Sequence, residues 1–142
     1  MTKARDIASA APAPSTVDAT ELGYLDGVTS AVQTQLDAKT PKVTLNAKTA
    51  AYTLVAGDAF KLVTVSDTVS RTVTIPPSVF TAGQIINVQR IGTGAVPFAA
   101  GSGVTITSTG ATSAAPTLRA QFSAASVVCT ASDTFTVLGD IA

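Results

Sequence analysis

The sequence predicts a mainly β fold, in which an extended N-terminal arm and one short helix precede an antiparallel β-sandwich or barrel. Apolar and polar residues alternate with period two from residue 43 onward, the alternation of half-buried strands. Thr and Val are abundant, as they are on pleated surfaces. Turn-forming residues recur at about ten-residue spacing, which is typical of antiparallel sandwiches and barrels. The predicted boundaries are residues 1–18 for the arm, 19–40 for the helical segment and 41–142 for the antiparallel β domain.

The arm is predicted from the lack of apolar periodicity in residues 1–18. The run SAAPAPS at residues 9–15 is rich in Pro, Ala and Ser. Pro12 and Pro14 bias the residues before them toward extended backbone. We expect either that residues 1–18 form an arm that becomes ordered only against a partner, or that they are a flexible terminus.

A short helix is predicted next, because Thr20 offers an N-cap and Glu21 is favourable in the first turn. Gly23 and Gly27 each weaken a helix by about 1 kcal/mol relative to Ala, so the better helix spans residues 27–39 and is stopped by Pro41. Apolar residues at steps of three and four form a helical stripe. The stripe consists of Leu22, Leu25, Val28, Val32 and Leu36.

The apolar stripe predicts an interface. An isolated helix of this length is marginal in water, so its apolar side must be buried. Either the helix packs on the β domain of its own chain, or three copies pack on one another along a short seam. The second arrangement fits the order of arm and helix better, and it predicts a homotrimer.

Ten strands are predicted in the β domain, separated by hairpin-length breaks rich in Gly, Pro, Ser and Asp. One side of several strands is apolar and the other carries Thr, which gives a wettable outer face. No internal repeat of fixed length is visible. The predicted strands are residues 43–46, 52–55, 61–66, 71–75, 84–91, 96–99, 104–108, 118–124, 125–130 and 134–138.

The composition limits the classes of partner that we expect this chain to bind. Only 13% of the residues are charged and the formal net charge is zero, less charge than a protein normally uses to stay in solution. Either partners cover much of the surface, or Thr and Ser side chains on the surface keep the protein in solution. Arg71, Arg90 and Arg119 are scattered singly, so no nucleic acid is expected as a partner. No apolar run suits a secretory signal or a membrane span, so no membrane partner is expected and synthesis is assigned to a cytoplasm.

The residue types argue against catalysis, and we expect no enzyme, no catalytic residue, no metal site and no cofactor. There is no His and only one Cys, Cys129, which excludes Ser–His and Cys–His pairs and zinc sites with His or several Cys ligands. Asp58, Asp67 and Asp133 fall in predicted turns, where Asp side chains bond nearby backbone N–H groups. A core position is expected for Cys129 rather than a reactive thiol. The Tyr and Phe residues are spread singly and are assigned to the core by default.

One segment carries a strong resemblance. Residues 19–38 read ATELGYLDGVTSAVQTQLDA, and this stretch resembles a segment that recurs in structural proteins of tailed bacteriophages, typically just before a β-rich, trimer-forming module. Shorter stretches resemble a small β module of the same class of phage proteins. They are KLVTV at 61–65, TVTIPP at 72–77, GSGVTI at 101–106, LRAQFSA at 118–124 and LGD at 138–140. Similar sequences usually carry Trp near position 135, where this chain has Phe135.

The resemblance implies a homotrimeric structural protein of a virion, made in the cytoplasm of the bacterial host. Two roles remain open: a capsid decoration or cement protein that bridges shell subunits, and a tail fibre or fibre tip that attaches to a surface glycan of the host. The chain starts with Met and ends like the module it resembles, so we expect it to be complete, which favours decoration. The expected partners are copies of the chain and other virion proteins, chiefly the major capsid protein. A carbohydrate-binding module is a further class, and it would need exposed aromatic residues at loop ends.

Overall fold

The computed structural model describes residues 43–109 and 115–142. The predicted arm, residues 1–18, and the predicted helical segment, residues 19–40, lie outside these ranges. The fold described here is therefore that of the β domain predicted for residues 41–142. In the described ranges, no helix has the length and apolar character needed to cross a membrane.

The described ranges contain ten short strands and one turn of 3₁₀ helix, residues Ala56–Asp58, between the second and third strands. Val and Thr dominate the strands, while Gly, Pro, Ser and Asp occupy the breaks between them. The strands are β1 (Leu45–Lys48), β2 (Tyr52–Thr53), β3 (Leu62–Val65), β4 (Val73–Ile75), β5 (Ile85–Arg90), β6 (Val96–Ala100), β7 (Thr105–Ser108), β8 (Thr117–Leu118), β9 (Ala124–Ala131) and β10 (Thr134–Gly139).

The strands form two sheets. The larger has six strands in the order β1-β3-β5-β9-β10-β7, and the smaller has four in the order β2-β4-β6-β8. Neighbours β1, β3 and β5 run parallel in the first sheet, and β2, β4 and β6 run parallel in the second. From β1 to β9 the chain alternates between the sheets, so each of the first four passes adds one strand to both. The result is a β-solenoid-like stack of coils.

The mainly β prediction is confirmed, but the antiparallel sandwich or barrel is wrong. The turn-forming residues at 56–58, 66–67 and 76–78 lie in longer breaks, residues 54–61, 66–72 and 76–84, and each break carries the chain to the opposite sheet. A solenoid with two strands per coil also repeats its turns at about ten-residue spacing, so spacing alone does not separate the two architectures. Leu45 pairs with Leu62, and Leu62 pairs with Asn87. Because these coils differ in length, the sequence shows no repeat of fixed period.

Successive coils are bonded at their corners as well as along their strands. The backbone N–H groups of Gly92 and Gly94 donate to the carbonyls of Val65 and Asp67 in the preceding coil, at 3.2 and 2.8 Å. The corner chains lie so close that only glycine fits. A Cβ on Gly92 would lie 2.0 Å from the carbonyl oxygen of Asp67, and one on Gly94 would lie 2.1 Å from that of Val69.

The last strands close the stack with antiparallel pairs. Strand β9 pairs antiparallel with β5, and β10 returns antiparallel to β9. Strand β7 then pairs parallel with β10, while β8 pairs antiparallel with β6 in the smaller sheet. The β9–β10 turn has Asp133 at φ 52°, a left-handed conformation that Asp tolerates better than most residues. The antiparallel prediction therefore holds only for these closing pairs.

Most predicted strand ends differ from the observed ones by one or two residues, and the first and eighth predicted strands differ most. Strand β1 begins two residues later than predicted, at Leu45, and extends to Lys48. The strand predicted for 118–124 is the two-residue β8 followed by a turn, in which the Ser123 N–H donates to the Ala120 carbonyl at 3.1 Å. Phe122 in this turn has φ 68°, which a strand cannot accommodate.

The core lies between the sheets and is filled by the inward residues of almost every strand. The Phe80 and Phe135 rings meet edge to face, with centroids 6.1 Å apart and planes at 89°, a favourable aromatic geometry. Cys129 is buried in this core, as predicted. The buried apolar residues are Leu54, Val63, Val65, Val73, Ile75, Phe80, Ile86, Val88, Val96, Phe98, Leu118, Ala125, Val127, Cys129, Phe135, Val137 and Ile141.

We expect Gly92→Ala to lower the free energy of unfolding by about 2–3 kcal/mol, because its methyl group forces the stacked corners apart. The matched control is Gly57→Ala, where the added Cβ meets nothing within 4 Å, and the change should be neutral or slightly stabilising. Urea unfolding followed by circular dichroism measures both. Equal stabilities for the two variants would contradict the close stacking of the corners.

Candidate functional site

The predicted interface stripe, Leu22, Leu25, Val28, Val32 and Leu36, lies entirely outside the described residues. Its burial and its partner therefore stay predictions. The candidate sites discussed below belong to the ranges 43–109 and 115–142, which contain no group of three or more His, Cys, Asp or Glu side chains able to hold a metal ion.

A polar cluster caps the core at the first coil. The Asp58 side chain is almost fully buried, with 1% exposure. Its Oδ1 accepts the Asn46 Nδ2–H at 2.7 Å, and its Oδ2 accepts the Tyr52 hydroxyl and the Val55 backbone N–H, both at 2.9 Å. The Lys48 ammonium lies 4.1 Å from the centre of the Tyr52 ring, within the range of a cation–π contact.

This cluster sits where the apolar stack begins. Asn46 and Lys48 are paired in register with Val63 and Val65 of the next coil, and those two valines are buried in the core. Burial, and secondly the hydrogen bond to the Asp58 carboxylate, raise the pKa of Tyr52 above its ordinary value. The phenol therefore stays neutral and donates. The cluster ends the apolar core with satisfied polar groups.

The Asp side chains predicted in turns do bond backbone N–H groups. Asp67 Oδ1 accepts the Val69 N–H at 3.0 Å, and its Oδ2 pairs with Arg71 Nε at 2.7 Å. The Val69 N–H, and secondly the Arg71 guanidinium, lower the pKa of Asp67. Asp133 Oδ1 accepts the Ser78 N–H at 2.6 Å, which ties the β9–β10 turn to the break after β4. The predicted bonding to nearby N–H groups is confirmed for Asp58 and Asp67, whereas Asp133 bonds an N–H that is 55 residues away in the sequence.

A second ion pair fastens the C-terminal strands. Arg119 Nε lies 2.9 Å from Asp140 Oδ1, and Asp140 Oδ2 accepts the Ser123 hydroxyl at 2.5 Å. Arg119 also donates to the carbonyl of Ile141 at 3.1 Å. These bonds join the turn before β9 to the end of β10. Both carboxylate oxygens of Asp140 are thus engaged in holding the chain.

An open cleft of about 510 Å³ lies at the stacked corners, between the break after β3 and the break after β5. Gln121 closes one side by donating its Nε2–H to the Ile91 carbonyl at 2.9 Å. Arg90 stiffens the wall, since its guanidinium donates to the carbonyls of Gly92, Thr93 and Leu118. The lining residues are Ser66, Asp67, Thr68, Ile91, Gly92, Thr93 and Gln121. Hydroxyl, amide and carboxylate groups could hydrogen-bond a polar ligand such as a sugar.

Two aromatic residues depart from the default core assignment. Phe60 and Phe122 are 60% and 64% exposed, while Phe80, Phe98 and Phe135 are buried. Both exposed rings lie in turns, two residues before a strand, with φ values of 62° and 68°. A bulky residue with positive φ is unusual. Phe122 directly follows Gln121, which lines the corner cleft, so an exposed aromatic residue stands at a loop end beside that cleft.

The outer side of the six-stranded sheet is the largest candidate surface, and we call it the neutral face because it has no charged residue. Strand pairing fixes its members, since residues alternate between the core and this side. They are Leu45, Ala47, Leu62, Thr64, Ile85, Asn87, Gln89, Thr105, Thr107, Ala124, Ser126, Val128, Thr134, Thr136 and Leu138.

The sequence predicted a threonyl outer face, and part of the neutral face has that character: Thr107 and Thr136 lie side by side with their hydroxyl oxygens 3.0 Å apart. The apolar part was missed. Leu45 and Leu138 are 60% and 47% exposed. In the pair Ile85–Ile86 only the second isoleucine is buried, and nothing in two adjacent isoleucines says which one faces the core.

Comparison of the chain with protein families, with curated proteins and with solved structures found no match. The functional assignment therefore rests on the residues themselves and on the resemblance of residues 19–38.

We expect Asp58→Ala to lower the free energy of unfolding by about 2–4 kcal/mol, because it leaves the donors of Asn46, Tyr52 and Val55 without their acceptor in a buried place. Tyr52→Phe is the graded control. It removes one donor and keeps the carboxylate with its other two, so a loss of about 1 kcal/mol is expected. Chemical unfolding of the two variants beside the parent tests this. A loss in Asp58→Ala no larger than in Tyr52→Phe would contradict the buried cluster.

We expect the Asp67 carboxyl to titrate below its ordinary pKa of 3.8. A lowered pKa in the folded state means that this carboxylate stabilises the fold above the unfolded pKa, and that the contribution is lost as pH falls through the folded pKa. Carboxyl-carbon NMR titration measures it directly. In Arg71→Gln the Asp67 pKa should rise, whereas Arg119→Gln should leave it unchanged. A wild-type Asp67 that titrates at or above 3.8 would refute the assignment.

Proposed function

We propose that this chain is a homotrimeric structural protein of a tailed-bacteriophage virion, and that its favoured role is capsid decoration. The observation that carries the proposal is the nearly continuous resemblance of residues 19–38 to a segment that precedes trimer-forming β modules in phage structural proteins. Such a protein acts by burying surface and resisting deformation. The described fold is suited to that work.

Rigidity supports a mechanical role. Backbone hydrogen bonds join each coil to the next along the strands, and the glycine corners add further bonds between coils. The Asp58, Asp67, Asp133 and Asp140 carboxylates all take part in bonds that fasten turns or strand ends. These side chains are accounted for by structural roles, as in a protein that stabilises an assembly.

The short stack favours decoration over a projecting fibre. The larger sheet stacks six strands at a spacing of about 4.8 Å, so the described body extends roughly 24 Å along the stack. A squat body suits a position on a shell surface. The Pro- and Ala-rich run at residues 9–15 can lie extended along a neighbouring subunit. We propose that the body rests on the major capsid protein and that residues 1–18 tether it across a subunit joint.

We expect deletion of residues 1–17 to weaken binding to phage heads and to lower the temperature at which filled heads rupture. The arm then acts as a tether against the outward pressure of packaged DNA. The measurement is cosedimentation with heads that lack the protein, followed by a rupture assay. A full-length control with residues 1–17 in scrambled order separates arm length from arm sequence. Full occupancy and unchanged rupture by the truncated chain would remove the tether from the proposal.

The second candidate is a tail fibre or fibre tip that reads a surface glycan of the host. The observation that favours it is the polar corner cleft, where Asp67, Thr93 and Gln121 offer hydrogen-bonding groups beside the exposed Phe122. Localising labelled protein in purified virions decides between the two roles. Label on the shell supports decoration, label at the tail tip supports the fibre, and absence from virions contradicts both.

A further inference from the structure

We propose that the neutral face is the surface through which copies of this chain pack against one another. The inference rests on the proposed homotrimer and names the contact that the described residues contribute to it. Three observations carry it: the distribution of charge, the apolar residues on the face, and its area.

Charge is segregated away from the neutral face. The charged residues of the described ranges lie in turns, at strand ends or on the core side: Lys48, Asp58, Lys61, Asp67, Arg71, Arg90, Arg119, Asp133 and Asp140. A sheet face that stays in water normally carries interspersed Lys, Arg, Glu and Asp. The strands of this face carry none on their outer side, which is the composition of a surface that is covered in the working protein.

Apolar residues on this face are contiguous across four strands. Leu45 of β1 pairs with Leu62 of β3, and Ile85 of β5 pairs with Val128 of β9. Ile85 stands two residues before Asn87, the β5 partner of Leu62, so the two pairs are diagonal neighbours. Leu45 and Ile85 are exposed, and their partners Leu62 and Val128 are half-buried. A contiguous apolar strip at a surface marks an interaction site.

The rest of the face suits a second copy of itself. Its Thr, Ser, Asn and Gln side chains can each donate and accept hydrogen bonds, so three such faces can meet around a threefold axis without any matching charge. Two copies also bring no like charges together. A partner recognised through charge would find nothing on this face to pair with.

The area of the face is of the size that a contact between copies uses. Its six strands are spaced by about 4.8 Å and are four to eight residues long at about 3.3 Å per residue, which gives roughly 500 Å². Stable interfaces bury about 800 Å² per partner, so the face supplies roughly half of that area or more.

The test compares single Lys substitutions on the neutral face with one Lys substitution on another surface. Ile85→Lys and Leu45→Lys place an ammonium on the neutral face, and Thr53→Lys places the same group on the outer side of the smaller sheet, where Thr53 is exposed. Light scattering of full-length chains at micromolar concentration should give about three times 14.2 kDa for the parent and for Thr53→Lys. For the two face variants, we expect the dissociation constant of the trimer to be about 100-fold higher than for the parent.

Circular dichroism of each variant confirms that the strands still form, and Leu45→Lys, on an exposed edge strand, is the variant least able to disturb folding. A monomeric parent, or face variants that assemble as tightly as Thr53→Lys, would overturn the inference. If face variants lose head binding while the parent is monomeric, the face contacts a shell protein and self-association is refuted. If the parent is a trimer that the face variants dissociate, but the protein is absent from virions, this inference stands and the proposed function is refuted.

Discussion

The coil-on-coil register is the constraint on which the rest of the fold depends. Parallel pairing of β1, β3 and β5, and of β2, β4 and β6, requires every corner to return the chain one strand spacing further along the stack. At the closest corner the backbones of neighbouring coils leave no room for a methyl group, and Gly92 and Gly94 fit because they have no side chain. Once corners stack, inward residues such as Val63 and Val88 fall into layers and fill the core.

The polar residues of the chain follow from the same geometry. A stack with parallel coils leaves open backbone and an exposed layer of core where it begins and where it ends. At the beginning, Asp58 gathers the donors of Asn46, Tyr52 and Val55. At the other side, antiparallel strands replace the parallel ones, and the Arg119–Asp140 pair fastens their ends. The charged residues concentrate where coils start, turn or finish, which leaves the broad outer side of the larger sheet without charge.

Much of the secondary structure could be predicted from the sequence, and the topology could not. Period-two alternation found most strands, and the preference of Asp for turns predicted the bonds of Asp58 and Asp67 to nearby backbone N–H groups. The sequence did not predict whether neighbouring strands pair parallel or antiparallel. A turn-forming segment has the same composition whether it reverses the chain within one sheet or passes it to the other sheet. Gly92 and Gly94 fall in a break between two predicted strands, but the need for glycine at these positions comes from the backbone of residues 67–69, which no local pattern shows. The neutral face was half predicted: its threonines alternate cleanly, while the outward Ile85 is hidden beside the inward Ile86.

The cap on the first coil bears on self-limiting assembly. Strands β1 and β2 have a described neighbour on one side only, and a bare strand edge above an apolar layer would invite another chain to continue the stack indefinitely. Here the inward positions of β1 hold Asn46 and Lys48. A chain added end to end would have to strip water from the Lys48 ammonium, which is unfavourable. The described edge of the first coil therefore opposes growth into a fibril along the stack.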